Sequence, residues 1–518
     1  MSIRSRLAQA WKALAGTTPK RSIGLGVGLG GFYTGASLYG GGWIQALRSK
    51  DQEIRKDALA LRSNSRRLAN NNPYMKRYLR ALGSHVVGPN GFTLQSSYET
   101  RSGSRRDPYA SKNEEAFARW GKKGTATVCG RFSWLDAQRL FVRTMALDGE
   151  CFVRIVRGAR NEFGLALQFL DADLLDHTYT VEAGQGSNAV VMGVEIDTYN
   201  RPVAYHFTDP GSSRVNYPRG KRVRISAADI IHGFDPERAL QTRGVPWAAS
   251  VMYLISMLGH YWEAEVAAAR HESERIAFIK SPNGVLEEGD EDSENYTPGV
   301  DPLLAARQMP SSTGIYYQGV PAGTDIEIPD AKHPTTAFAD FSKAMLKGIA
   351  SGLGVSYAAL SSDLTEVSFS SIRTGTLEDR EYYRELQGLV IETFCERVYR
   401  EFIYMAVLKG ALTMPAGATF ERFAAHVWEP RGWDWVDPKN DAAAKIEAIN
   451  NCLDTRQRIL AERGLNFDDV VAQLAKETEA IKAAGIVLPT KQPVALPEPD
   501  APSDGEDPSN VQPLKETA

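Results

Sequence analysis

The 518-residue sequence predicts an α+β fold, and three features carry that prediction. Residues 130–235 hold β-branched and aromatic runs (CFVRIV, LALQFL, VVMGVEID, PVAYHFT, KRVRI, DIIHGF) separated by Gly, Pro, Asn and Asp. Runs and breakers in that alternation read as an antiparallel-rich sheet. On either side, apolar residues recur at helical spacing, over 51–85 before the sheet and over 248–278, 335–352 and 373–409 after it. The composition, 43% hydrophobic and 24% charged, is ordinary for a globular chain and disfavours collagen-like, wholly disordered and multi-pass membrane classes.

Taken in order, the chain begins with a basic stretch bearing Arg4, Arg6, Lys12, Lys20 and Arg21. The compact apolar run of a secretory signal does not follow it. Residues 22–47 are instead uncharged with nine glycines, the composition of a flexible arm. Residues 51–85 are predicted helical with a break at Asn72-Pro73. The seven basic and three acidic residues within 48–67 read as a solvated helix face. Residues 244–262 are uncharged over a length close to the about 20 apolar residues that span a bilayer. Pro246, Ser250, Ser256, Gly259 and His260 interrupt them, and the charged run EAEVAAARHESER follows. A helix buried between protein layers is expected, with Val251, Leu254, Ile255 and Leu258 against the sheet.

Residues 281–333 are polar and acidic, and Glu287, Glu288, Asp290, Glu291, Asp292 and Glu294 fall within eight positions. They predict an exposed, mobile insertion between two helices that form an antiparallel stalk. A serine-rich connector, VSYAALSSDLTEVSFSSI at 355–372, follows Gly352 and Gly354, which let the chain turn out of the preceding helix. Two more helices are expected near 439–462 and 467–484, and Pro, Asp and Glu from Pro489 onward read as a disordered tail.

Sixty basic against sixty-three acidic residues give a formal charge of -3, so the basic surplus of a tight nucleic-acid binder is lacking. Cys129, Cys151, Cys395 and Cys452 lie far apart and read as reduced core thiols. Gly26, Gly28 and Gly31 fit G-x-G-x-x-G, but no buried strand precedes them and no βαβ unit follows. His271-Glu272 opens a zinc-helix motif that fails at Arg275, where the second histidine belongs. Asp171, Asp173 and Asp176 could suit a hard cation, yet they follow LQFL, where Asp commonly ends a strand. No cofactor, no metal and no assembled nucleophile, base and orienter are expected. The competing readings are a metal-dependent nuclease or protease centred on 171–176 or His271-Glu272, and a membrane pore anchored by 244–262.

A series of landmarks remains. Asn71-Asn72-Pro73-Tyr74 is followed by Trp120, then by Asp148-Gly149-Glu150 before a strand, then by GVEIDTYNRPVAYHF at 193–207. Next comes IIHGFDPERALQTRGVPW at 230–247, with Ile231, His232, Arg238, Gln241, Arg243, Gly244, Pro246 and Trp247. His333-Pro334, Phe338 and Phe341 precede LGVSYAALSSD at 353–363, then Arg373 and Val436-Asp437-Pro438. Each motif is weak alone, but in this order they resemble the lambda-type family of tailed-bacteriophage portal proteins over some 400 residues. Two departures stand out. Phe369-Ser370-Ser371 replaces the family's Tyr-Ser-Ser, and the glycine-rich start has no counterpart.

The resemblance implies a portal-like subunit with a mixed α/β wing, a two-helix stem, a small α/β clip and a helical C-terminal crown. Residues 1–47 are the flexible arm, 48–247 the wing, 248–278 the first stem helix and 279–333 the clip. Residues 334–354 are the second stem helix, 355–372 the tunnel loop, and 373–435 the wing/crown helix and connector. Crown helices occupy 436–488, and 489–518 is the disordered tail. It further implies a homo-oligomeric ring, usually of twelve, at one capsid vertex of the virion, assembled in the host cytoplasm. Double-stranded DNA would pass through its channel during packaging and ejection, and no membrane is involved. The terminase large subunit, a head-tail connector protein and the major capsid or scaffold protein would be its partners. Lys343, Lys347, Ser361, Ser362, Ser368, Ser370, Ser371 and Arg373 are then DNA-channel candidates, and the acids of 287–294 are docking candidates. The three cations either face the channel or pair with acids of a neighbouring subunit.

Overall fold

Helix α1 (Lys50–Asn71) starts where Ser49 accepts a bond from the Gln52 amide, and it stops at Asn72 because proline follows. Asn72 then caps α2 (Pro73–Leu82), accepting from the Met75 amide at 3.0 Å, so one Asn-Pro pair ends one helix and opens the next. The computed structural model describes residues 49–97, 108–184, 187–209, 221–273, 278–280, 325–327, 337–365, 368–433, 438–465 and 467–485. The described residues fall into two compact units, divided between Asp437 and Pro438.

Within the first unit, a π turn (Gly83–Val87) leads to β1 (Thr93–Ser96), α3 (Pro108–Trp120) and α4 (Trp134–Asp148). Helix α4 occupies the start of the stretch expected to be sheet. Ser133 and Asp136 close a reciprocal capping box there, and Ala137, Phe141 and Met145 recur at helical spacing on its buried side. Beyond it the antiparallel expectation holds. Strand β2 (Glu150–Arg157) lies between β3 (Leu165–Leu170) and β8 (Ile230–Phe234), both antiparallel to it. A second antiparallel sheet runs in sequence order through β4 (Ala189–Val191), β5 (Val194–Ile196), β6 (Pro202–Thr208) and β7 (Arg222–Ser226).

Side chains alternate along β2, so it serves two cores. Cys151, Val153 and Ile155 join the large helical core, while Phe152 packs edge-on against Tyr205 and Phe207 beneath the second sheet. Trp120 is fully buried in the larger core and donates from Nε1 to the Leu165 carbonyl at 2.9 Å, so its one polar atom is satisfied.

Helix α5 (Met252–Ser273) is followed by the paired short strands β9 (Phe278–Lys280) and β10 (Asp325–Glu327) and by α6 (Ala337–Gly352). Phe278 is thus in a strand, not at a helix end. Contacts run antiparallel between α5 and α6: Trp262 Nε1 donates to Ser342 Oγ at 3.0 Å, and Ser250 Oγ to the Gly352 carbonyl at 3.4 Å. Val251, Ile255 and Leu258 are buried as expected and Leu254 half-buried. Helix α5 packs chiefly on α6 and α1, with Trp262 edge-on to Tyr74 of α2, so its main cover is helical and not the expected sheet. No helix among the described residues is long and apolar enough to cross a membrane.

After α6 come α7 (Tyr357–Ser361) and α8 (Phe369–Val390), which passes through a π turn (Ile391–Cys395) into α9 (Glu396–Leu408). The short α10 (Phe420–Phe423) precedes β11 (His426–Glu429), which pairs with β1. The second unit holds α11 (Pro438–Asn450), α12 (Arg456–Glu462) and α13 (Phe467–Ala483). The single helix expected at 439–462 is divided, because Cys452 adopts a left-handed turn and Thr455 caps a new start, accepting from the Arg458 amide at 3.2 Å.

Cys151 and Cys395 are the buried thiols expected, but Cys129 and Cys452 are exposed, since both sit in turns outside the packed elements. The arm with Gly26, Gly28 and Gly31, the tail from Pro489 and the acids Glu287, Glu288, Asp290, Glu291, Asp292 and Glu294 lie outside the described residues.

Candidate functional site

The serine-rich stretch begins where α6 ends. Gly354 has φ +69°, the left-handed conformation that turns the chain out of the helix. Gly352 plays a different part from the one expected. It is still helical, and a Cβ there would lie 2.3 Å from Val251 Cγ1, so its bareness lets α5 and α6 cross closely. Ser356 then caps α7, its hydroxyl accepting from the Ala359 amide at 3.2 Å. The same hydroxyl donates to Asp379 Oδ2 at 2.7 Å, and the Ser356 amide donates to Asp379 Oδ1 at 2.6 Å. From the other side, Arg77 Nε of α2 donates to the Ala359 carbonyl at 2.6 Å.

Beyond α7 the chain turns at Ser362, itself left-handed at φ 62°. Asp363 organises this turn: it accepts from Tyr357 OH at 2.8 Å, from the Thr365 amide at 2.9 Å and from the Thr365 hydroxyl. These bonds, the Thr365 hydroxyl foremost, with help from the charge of Lys343, hold the Asp363 carboxyl down to about 2. Ser368 next caps α8, accepting from the Ser371 amide at 3.2 Å. The expected connector over 355–372 is therefore half helical, and Ser370 and Ser371 stand on the first turn of α8.

Of the channel candidates, Ser362, Ser368, Ser370, Ser371 and Lys347 are exposed, and Ser361, Lys343 and Arg373 are half-buried. The hydroxyls are not uniformly available. Ser361 donates to the Tyr357 carbonyl at 2.8 Å, and Ser368 is engaged with both Ser370 and Ser371 at about 3 Å.

Between α1 and the sheet sits a charge cluster that no local pattern announced. Glu150 is fully buried and bonds the Arg243 guanidinium through both oxygens, Arg62 Nη1 at 2.9 Å, His232 Nε2 at 3.2 Å and the Gly244 amide at 3.1 Å. Burial alone would raise the Glu150 carboxyl, but Arg243, His232 and Arg62 outweigh it and hold it well below the usual range. Burial lowers the His232 imidazole, whose Nε2 lies 3.2 Å from Glu150 and whose Nδ1 lies 3.4 Å from Tyr205 OH. Arg66 adds a second layer, bonding Asp148 at 2.7 and 2.9 Å, Asp171 at 2.9 Å and Asp173 at 2.6 Å.

The solvated face expected at 48–67 is thus corrected at Arg62, which is 3% exposed, and at Arg66. Asp171 ends its strand as expected, capping the next turn, but Asp171 and Asp173 also serve Arg66, and Asp176 pairs with Arg222 at 2.7 Å. Among the described residues, no group of three or more His, Cys, Asp or Glu could hold a metal ion. The cluster ties α1, β2 and the 241–244 segment together. The landmarks Asp148, Glu150, His232 and Arg243 that carry the resemblance are its members.

Residues 39–387 match the family described as phage portal protein, lambda family. A probable portal protein of Halomonas phage phiHAP-1 is 35% identical over 442 residues, covering 85% of this chain and 84% of the relative. Portal protein B of Escherichia phage lambda is 22% identical over 507 residues, covering 89% of this chain and 91% of the relative. A chain in the virion of a native gene transfer agent particle is 14% identical, with a TM-score of 0.43 over 79% of this chain and 93% of that chain.

Proposed function

The chain belongs to the lambda family of phage portal proteins, and from that premise we propose that it forms a ring, of twelve copies as is usual for such proteins, at one vertex of a phage capsid. DNA enters through the ring during packaging and leaves through it on ejection. The protein is a structural conduit and docking platform, and the chemistry that drives packaging belongs to the terminase large subunit. A head-tail connector protein and the capsid or scaffold protein are its other partners, and assembly takes place in the host cytoplasm.

The observation that carries this reading is the family match across 39–387, which spans both the sheet region and the antiparallel pair α5 and α6. On this reading α5 and α6 are the stem and 279–333 the clip. The segment from Val355 to Ile372 is the tunnel loop, 48–247 the wing and 436–488 the crown. A near-neutral chain suits a conduit, because each phosphate neutralised adds salt-dependent affinity that opposes sliding. The exposed hydroxyl of Ser362, with Lys347 on α6, supports brief contact with phosphate oxygens.

The test is genetic and biochemical. Capsid shells assembled without this chain should protect no DNA from nuclease, and resupplying the chain should restore protection. Full protection without it would refute the reading.

A further inference from the structure

We infer that Asp379 is a positioning residue that hangs the serine segment from helix α8, with Arg77 as a second fastening. Only the use of this fastening in DNA retention rests on the portal reading.

Asp379 is 8% exposed, and both of its oxygens are committed to Ser356, one to the amide and one to the hydroxyl. Bonds to an ionised carboxylate are short and strong, and a two-point grip also fixes orientation. The grip reaches further than one residue. The Ser356 hydroxyl that donates to Asp379 is the one that accepts from Ala359 and starts α7, so loss of the carboxylate loosens the attachment and the cap together. Ala359 is also held through its carbonyl by Arg77, which belongs to α2. The root of the segment is therefore fastened to α8 and α2.

On the α6 side lies Gly354, left-handed and beside the Tyr382 ring. A Cβ built there would come no nearer than 3.5 Å to the Tyr382 ring, so the backbone conformation, not packing, sets the glycine. Leu353 and Val355 on either side of it are buried, and the Val355 amide donates to the Ala350 carbonyl at 3.1 Å, so the turn out of α6 is itself fixed. Exposed Ser362 and Leu364 beyond α7 are thereby held in register with α8 and α2.

The experiment uses the full chain carrying Asp379→Ala, Ser356→Ala, both together, and Asp379→Asn. Hydrogen exchange at residues 357–365 should quicken at least tenfold in either alanine variant, with α4 unchanged. The double variant should add nothing further, because the two residues act through one contact. Asp379→Asn, which keeps an acceptor for the Ser356 amide, should fall between. If Asp379→Ala does not fold, Ser356→Ala decides alone. Unchanged exchange, or a double variant that sums the singles, overturns the fastening. Particles bearing Ser356→Ala should then hold less DNA while their rings stay intact. Faster exchange with unchanged DNA retention would leave the fastening standing and overturn its use in retention.

Discussion

Glu150 carries a charge where there is no water to solvate it, and the surrounding cations are what make that tolerable. Its removal leaves Arg62 and Arg243 buried without their principal counter-charge. Glu150→Ala should cost about 3–5 kcal/mol, the usual result of breaking a buried ion pair from one side. Urea unfolding of the full chain measures it, and a loss under about 1 kcal/mol, the worth of an exposed pair, would contradict the burial. Glu195 gives a pH signature. Arg224, and to a lesser degree Asn188 and His206, hold its carboxyl at about 2 against the opposing effect of burial. A carboxyl whose folded value is depressed stabilises fully above its unfolded value near 4.5, and that contribution fades as pH falls toward 2. Glu195→Gln should therefore be less stable than the parent at pH 7, with the two melting temperatures converging by pH 2. Parallel curves down to pH 2 would contradict the assignment. None of this was legible locally. Arg62 looks like any helix arginine until Glu150, far away in sequence, is placed beside it.

At the scale of elements, what was legible depended on length. The apolar periodicity of α1, α5 and α8 marked them, and Asn72-Pro73 marked the break between α1 and α2. The five residues of α7 make little more than one turn, too short for any period to show, and its cap Ser356 lies within the stretch expected to be a connector. Gly352 was noticed for the wrong reason, because close helix crossing is a property of two elements and leaves no mark on one. Gly352→Ala should cost about 1–3 kcal/mol through overpacking against Val251, and the added change Val251→Ala should recover most of it. Absence of recovery in thermal melts would show that the crossing is not the constraint. Ile255→Ala, on the buried side of α5, should cost about 2–5 kcal/mol, and the half-buried Leu254→Ala less. Equal costs would misplace that face.

For the whole molecule, the ordered landmarks carried more than any motif did, because a family likeness spread over hundreds of residues survives where single sites are ambiguous. Composition could exclude a tight nucleic-acid binder but could not point to a ring. The acids Glu287, Glu288, Asp290, Glu291, Asp292 and Glu294 belong to this scale. Shortening that run should leave the monomer folded, since closure entropy varies only slowly with loop length, and replacing all six acids with Ser should leave it folded too. Ring formation or terminase binding should change instead, and unchanged assembly and packaging would remove them from partner docking. Charge reversal at Lys343 and Lys347 should leave rings intact and reduce the DNA length packaged, whereas rings lost first would make these lysines packing residues. All of these expectations presuppose one assembly. Negative-stain microscopy of the purified full chain tests it most directly: the account predicts closed rings with a central hole, and a field of discrete monomers or solid particles under assembly conditions would contradict it.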